Sequence, residues 1–286
     1  MVRSYLFVPG DQPDKIDRAA TRGADALIFD IEDAVLPARK AESRQLVATA
    51  VMAPADGAER WVRINNHPDL TAADIAAVVP AGPTGLVIPK VADRETVNAI
   101  VDLIEASESA SEVASRSVDI IAMIEDGRGV SAMEAIAGAA RVRRMMIGEY
   151  DLAVELGIEP SEDGREFLFA HSKLIVACAA ARLEPPIAPV TAEFGDVEAF
   201  RASTTRFRRM GYRARALIHP AQVGVANEVF TPSEADVRRA MEIIERFEAG
   251  EVDGAGAIAQ DGMLIDEPIV QAARRVLEAA RPIPRA

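Results

Sequence analysis

Short apolar runs, each closed by polar or turn residues and followed by a stretch of helical spacing, recur eight times along the chain. They are 4–8 (SYLFV), 26–30 (ALIFD), 61–65 (WVRIN), 85–90 (GLVIPK), 119–125 (DIIAMIE), 143–151 (RRMMIGEYD), 185–190 (PPIAPV) and 215–220 (RALIHP). Runs of this kind read as buried strands, and the amphipathic stretches between them as crossover helices. Strand–helix alternation predicts a parallel sheet. Eight repeats predict a closed (β/α)8 TIM barrel within an α/β class, rather than an open doubly wound sheet. The first strand–helix turn carries no G-x-G-x-x-G, which weakens a dinucleotide-binding version of the open sheet.

The barrel pattern ends near Phe230, so we expect a catalytic barrel over 1–230 and a C-terminal helical extension or lid over 231–286. In the extension, Thr231, Pro232 and Glu234 read as N-cap, N1 and N3 of a helix closed by Gly250. A glycine-bearing segment then leads to a last helix within "MLIDEPIVQAARRVLEAA".

Charge narrows the partners. Acids outnumber bases 45 to 32, for a net charge of −13, so nucleic acid and anionic membrane surfaces should repel the chain. An anionic ligand would need a local pocket of Arg, Lys or metal. No apolar stretch is long enough for a signal peptide or a membrane span. The single cysteine, Cys178, fits the reducing cytoplasm and reads as a packing residue.

In a barrel of this type chemistry sits at the C-terminal strand ends. Those ends carry Asp30, Arg63, Lys90, Glu125, Asp151 and His219. Each alone could mark where the chain leaves the core; six on one rim point to a site. Acids and bases together there suggest a divalent cation with an anionic substrate, and hard oxygen ligands select Mg²⁺, Mn²⁺ or Ca²⁺ over zinc. Three histidines without H-E-x-x-H or a Cys/His cluster argue against a zinc site. No P-loop, G-x-S-x-G elbow or kinase signature is present. Lys90 has two further readings, a solvated strand end or a Schiff-base lysine, the latter disfavoured by the acid-rich mouth.

The blocks "RSYLFVPGDQPDKIDRAA", "ALIFDIEDAV", "VRIN", "GLVIPKV", "MIEDGRGV", "IGEYDLAVELG", "ALIHPAQV" and "GMLIDEPIVQAARR" occur in this order. Together they resemble the citrate lyase β-subunit-like branch of the HpcH/HpaI aldolase family, which includes malyl-CoA and citramalyl-CoA lyases. The resemblance runs from about Arg3 to Arg275. It implies a Mg²⁺-dependent carbon–carbon lyase, with Mn²⁺ the second candidate. Its substrate would be a short 3-hydroxydicarboxylyl-CoA thioester, with an α-keto acid among the products, and its assembly a homotrimer or dimer of trimers.

The same resemblance assigns roles. Glu125 and Asp151 match the metal ligands. Asp30, Glu32 and Asp33 match a block behind the metal, where they would receive metal-bound water and pair with Arg63 or Lys90. Arg63 matches the arginine that holds substrate oxygens. Phe7, Tyr150, Ile218 and His219 fall among pocket residues, His219 acting chiefly through its backbone. Asp266 matches an acid in a lid that reaches a neighbouring subunit; it also reads as an N-cap. Relatives often carry Arg at Gln12, near the CoA phosphates, and here Lys15 and Arg18 would compensate. Asp126 stands where relatives often have Thr or Ser and is expected to face solvent. Two other functions stay open: a citrate lyase β subunit acting on a carrier-protein thioester, and a non-catalytic barrel that binds an acyl-CoA or keto acid.

Overall fold

A computed structural model describes residues 1–53, 57–111, 117–252, 258–260 and 263–280. Eight parallel strands close into a barrel in sequence order: β1 (Ser4–Pro9), β2 (Ala26–Asp30), β3 (Glu59–Arg63), β4 (Gly85–Ile88), β5 (Asp119–Ile124), β6 (Val142–Ile147), β7 (Ile187–Ala188) and β8 (Ala214–Leu217). β8 returns to pair with β1, which leaves no free edge. The (β/α)8 barrel is therefore the fold, and the open sheet is excluded.

The crossovers are α1 (Pro13–Ala19), α2 (Lys40–Met52), α3 (Thr71–Val78), α4 (Arg94–Ala110), α5 (Gly127–Ser131) with α6 (Met133–Ala137), α7 (Glu149–Leu156) with α8 (Leu168–Ala180), α9 (Val197–Met210) and α10 (Ala221–Phe230). α4 shows the local logic. Asp93 caps it, accepting the Thr96 N–H at 2.9 Å, and Val97, Ile100, Val101 and Ile104 form its buried stripe.

Three expectations are corrected here. The segment 143–151 is not all strand: β6 stops at Ile147, and Asp151 lies in the first turn of α7. The acids Glu149 and Asp151 favour a helix N-terminus there. β7 is only two residues long, because prolines at 185, 186 and 189 lack the N–H a longer ladder needs. The fifth crossover breaks into two short helices at Ala132.

Strand parity aims the site. Tyr5, Ile28, Trp61, Val87, Ile121, Met123 and Met146 belong to the buried cluster that fills the barrel. Side chains two residues further along a strand share its face. That rule sends Phe7, Asp30, Arg63 and Met123 inward, nearer the C-terminal mouth. Asp30 and Arg63 are also register partners on β2 and β3. Elsewhere on the barrel Arg144, fully buried, stacks on Tyr5 and pairs with Glu184, while Arg143 joins Glu184 to Glu59.

The chain divides into two compact units, one of Val2–Asn227 and one beginning at Glu228. The second holds α11 (Glu234–Val252), a short antiparallel pair β9 (Ile258–Gln260) and β10 (Met263–Ile265), and α12 (Glu267–Ala280). Phe247, Ile265 and Val270 form its core. α11 starts later than expected, and its capping box is Ser233 with Asp236, which bond each other's backbone N–H at 3.1 Å. Gly250 lies inside the helix rather than closing it. The linking segment contains β9 and β10 in place of an unstructured connection; 253–257 and 261–262 lie outside the described residues. Among the described residues no helix is long and apolar enough to cross a membrane.

Candidate active site

Arg63 organises the mouth of the barrel. Its Nε and Nη2 grip both oxygens of Asp30, at 2.8 and 2.5 Å, and Nη1 reaches Glu32 at 3.1 Å. Its guanidinium also lies over the Phe7 ring, 5.1 Å from the centroid. Planar fork geometry makes Arg suited to such a site, and Lys could not reproduce it. Burial opposes the cation, and the charges of Asp30 and Glu32 more than offset it, so Arg63 stays protonated far above the working range.

Lys90 joins two carboxylates. It lies two residues beyond β4 and adopts a left-handed backbone, φ 54°. Such a conformation costs about 1–2 kcal/mol in a non-glycine residue. Three hydrogen bonds meet it: its N–H donates to Glu125 Oε2 at 2.7 Å, its Nζ donates to Glu32 Oε1 at 2.6 Å, and its carbonyl accepts from Asn66 Nδ2 at 3.1 Å. Asp33 lies 3.6 Å from the same Nζ. Glu32 is 5% exposed, so the acid block is more than a strand exit. Asp33 is exposed and stands at the edge of the group. The ion pairs expected for Asp30, Glu32 and Asp33 with Arg63 and Lys90 are thus present.

Glu125 follows β5 and is 4% exposed. Its carboxyl is pushed up to about 8, first by burial and then by the negative charge of Asp151. The junction of β6 and α7 is shaped around it. A Cβ on Gly148 would fall 2.5 Å from Glu125 Oε1 and 2.7 Å from its Cγ, so a larger residue here would displace the Glu125 side chain. Asp151 itself is exposed. Five carboxylates (Asp30, Glu32, Asp33, Glu125, Asp151) are therefore offset by two cations, Arg63 and Lys90. The Glu125–Asp151 pair carries the least compensated charge. Among the described residues no three His, Cys, Asp or Glu converge as a metal-ligand cluster. Two oxygen donors with unmet charge fit Mg²⁺, which commonly keeps several positions for water and substrate.

A cavity of ≈ 410 Å³ opens beside Glu32, Asp33 and Lys90, lined also by Lys40, Asn65, Asn66 and His67, and two more lie around Phe7 and Pro9 of β1. Of these two, one, of ≈ 260 Å³, is lined by Phe7, Pro9, Asp30, Ala34, Arg63, Met123, Val190 and Ile218. The other, of ≈ 390 Å³, adds Lys15, Arg18, Arg22 and His219 to the same neck residues. Phe7, Pro9 and Ile218 line both. Lys15, Arg18 and Arg22 thus give the larger cavity a cationic wall. Arg22, Met123, Val190 and Ala34 were missed in the sequence. Arg22 is legible only once α1 is known to run on into a 3₁₀ turn (Ala20–Arg22) that keeps it on the face of Lys15 and Arg18. His219 stacks on Phe194 at 4.5 Å, and the carboxamide of Gln222 accepts the backbone N–H of both Ile218 and His219 at 3.2 Å. Tyr150 is exposed, and its hydroxyl accepts the Ala192 N–H at 2.7 Å.

Of two further acids, the first departs from expectation and the second fills its expected cap position. Asp126 caps α5, accepting the Gly129 N–H at 2.6 Å, rather than facing solvent. Asp266 belongs to the second unit and caps α12, accepting the Ile269 N–H at 3.3 Å.

The chain is thus a closed (β/α)8 barrel whose mouth sets the Glu125 and Asp151 carboxylates near a clamped arginine. Residues 3–220 match the model of the HpcH/HpaI aldolase/citrate lyase family, and the chain belongs to that family. It is 33% identical over 284 residues to a (3S)-malyl-CoA thioesterase of Cereibacter sphaeroides, covering 98% of this chain and 95% of the relative. It is 30% identical over 281 residues to the citrate lyase subunit beta of Leuconostoc mesenteroides subsp. cremoris, covering 97% and 93%. Among solved structures it resembles the protein CitE from Mycobacterium tuberculosis in complex with magnesium, acetoacetate and coenzyme A. That match has a TM-score of 0.77 and 28% identity, and it covers 98% of each chain.

Proposed function

We propose that the protein is a Mg²⁺-dependent carbon–carbon lyase that cleaves or forms a short 3-hydroxydicarboxylyl-CoA thioester, such as citramalyl-CoA or malyl-CoA. The observation that carries this reading is the buried Glu125 beside Asp151, near a clamped Arg63 whose cavity shares Phe7, Pro9 and Ile218 with a cation-lined one. Mn²⁺ is the second candidate for the metal.

Glu125 and Asp151 would hold the ion, which when bound supplies Lewis-acid and template chemistry for the substrate's oxygens. Arg63 presents a fixed positive charge where an oxyanion develops, and Asp30 and Glu32 keep its plane from turning. Lys90 ties Glu32 to the backbone that meets Glu125, so ligand and arginine move as one group. Phe7, Met123 and Val190 give the smaller cavity apolar walls that exclude water from the reacting carbon. Phe7 and Ile218 form the neck that the thioester would cross. Lys15, Arg18 and Arg22 would receive the phosphates of the carrier arm. Asp266 serves as the proton-exchanging carboxylate on the C-terminal extension, in a cytoplasmic homotrimer or dimer of trimers.

A carrier-protein thioester, as a citrate lyase β subunit would use, is the second reading, because one relative bears that name. Incubation with Mg²⁺ and citramalyl-CoA should release acetyl-CoA and pyruvate. Release of free CoA with the intact hydroxy acid would show thioester hydrolysis instead. Silence toward every CoA ester, with turnover of a carrier-protein thioester, would favour the second reading. Ligand binding without turnover or Mg²⁺ dependence would leave the non-catalytic barrel.

A further inference from the structure

Beneath the first turn of α7 lies a polar relay that the reading above leaves unused. His171, on α8, is 3% exposed. Its Nε2 meets Glu149 Oε1 at 2.7 Å, and its Nδ1 meets the Tyr212 hydroxyl at 2.7 Å. Glu149 is the first residue of α7, and Tyr212 lies in the turn between α9 and β8. A carboxylate only accepts, so Nε2 carries the ring proton and the Tyr212 hydroxyl faces Nδ1 as donor. Burial pushes the Tyr212 hydroxyl well above its ordinary range, so it keeps that proton. Phe167, Phe207 and Tyr212 all meet the imidazole edge-on, so the orientation of the relay is left to its two hydrogen bonds.

Three apolar side chains could fill this space at little cost to stability, whereas the polar trio adds direction. The direction matters because of where the relay ends. No side chain caps α7 at Gly148, so its first turn lacks the usual N-terminal anchor. Asp151 sits in that turn, two residues beyond Glu149. The Glu149 charge is also the largest influence that favours the protonated form of buried Arg215, whose guanidinium bonds Ser203, Thr204 and the carbonyls of Pro189 and Phe200. Glu149 is thereby held from α8, the α9–β8 turn and the field of β8.

We infer that Tyr212, His171 and Glu149 are positioning residues that hold the first turn of α7 so that Asp151 faces the Glu125 carboxylate as a metal ligand. This rests on the reading of Glu125 and Asp151 as the Mg²⁺ pair. The relay touches no substrate; it acts through α7.

The test is calorimetric titration of Mg²⁺ into the full chain, with thermal melts in parallel, for wild type, Tyr212→Phe, His171→Gln and Phe207→Leu. Partners that orient metal ligands typically contribute about 10–100-fold to affinity. Tyr212→Phe and His171→Gln should raise the Mg²⁺ dissociation constant by about tenfold or more. Phe207→Leu, which removes packing against the same ring but no hydrogen bond, should lower the melting temperature and leave that constant unchanged. Tyr212→Phe conserves shape, so it reports even if His171→Gln does not fold. Equal Mg²⁺ affinity in wild type and Tyr212→Phe overturns the inference. A wild type that binds no Mg²⁺ overturns the metal assignment itself, and this inference with it.

Discussion

Glu125→Gln in the metal-free protein tests the electrostatics of the mouth most sharply. The wild-type carboxyl is 4% exposed and pushed up to about 8, by burial first and by Asp151 second. A raised carboxyl binds its proton in the native state where the unfolded chain has already lost it. Native protein therefore holds more protons between an ordinary glutamate value of about 4.3 and about 8, and stability falls as pH rises through that window. The difference reaches on the order of 3 kcal/mol at pH 7. Glutamine keeps the volume and still accepts the Lys90 N–H, but it does not titrate. Its amide N–H₂ costs about 1–3 kcal/mol if left unpaired, so the pH slope decides, not the offset. Melts in EDTA from pH 5 to 8.5 should show wild type losing stability relative to the variant as pH rises. Mg²⁺ at pH 8 should restore wild type, by about 2.7 kcal/mol at a hundred times the dissociation constant, and leave the variant unmoved. Parallel pH curves for the two proteins would refute the reasoning.

Four further outcomes follow from the same geometry. Lys15→Ala combined with Arg18→Ala and Arg22→Ala should raise KM for a CoA ester with little change in kcat, an effect that shrinks as salt screens the wild-type cations. Arg63→Lys loses the two-pronged grip on Asp30 and should lower kcat about 10²–10³-fold while the fold persists by circular dichroism. Gly148→Ala drives a Cβ into Glu125 and should weaken Mg²⁺ binding in calorimetry, more than Gly138→Ala, where the nearest atom is 3.6 Å away. Burial pushes the Cys178 thiol up to about 12, so iodoacetamide at pH 8 should label it only after denaturation.

The barrel was legible because its strands are apolar runs cut off by turn residues, a signal that survives without any tertiary information. The ion pairs at the mouth followed from strand ends and register: Asp30 and Arg63 both close their strands and pair side by side. What escaped depended on contacts between distant segments. Asp151 read as strand because "MMIGEYD" continues an apolar run, while the helix starts where Gly148 makes room for Glu125. The cap of α11 was displaced because Thr231-Pro232 and Ser233 offer competing starts, and the reciprocal bonds of Ser233 with Asp236 settle it. The relay of Tyr212, His171 and Glu149 joins two crossovers across more than sixty residues of sequence, so no local pattern announces it. Asp266 reads in the sequence both as a cap and as a lid acid; its cap bond to Ile269 is seen, and its chemistry is a proposal.

The central claim is that Glu125, Asp151 and Arg63 form a metal-assisted site for carbon–carbon cleavage of a CoA thioester. Mass spectrometry of the products from citramalyl-CoA and malyl-CoA, with Mg²⁺ and with EDTA, on wild type and Asp266→Ala, tests it directly. The account predicts acetyl-CoA together with pyruvate or glyoxylate from wild type with Mg²⁺, loss of both in EDTA, and a strongly reduced yield from Asp266→Ala. Cleavage that proceeds equally in EDTA, or intact thioester under every condition, would contradict it.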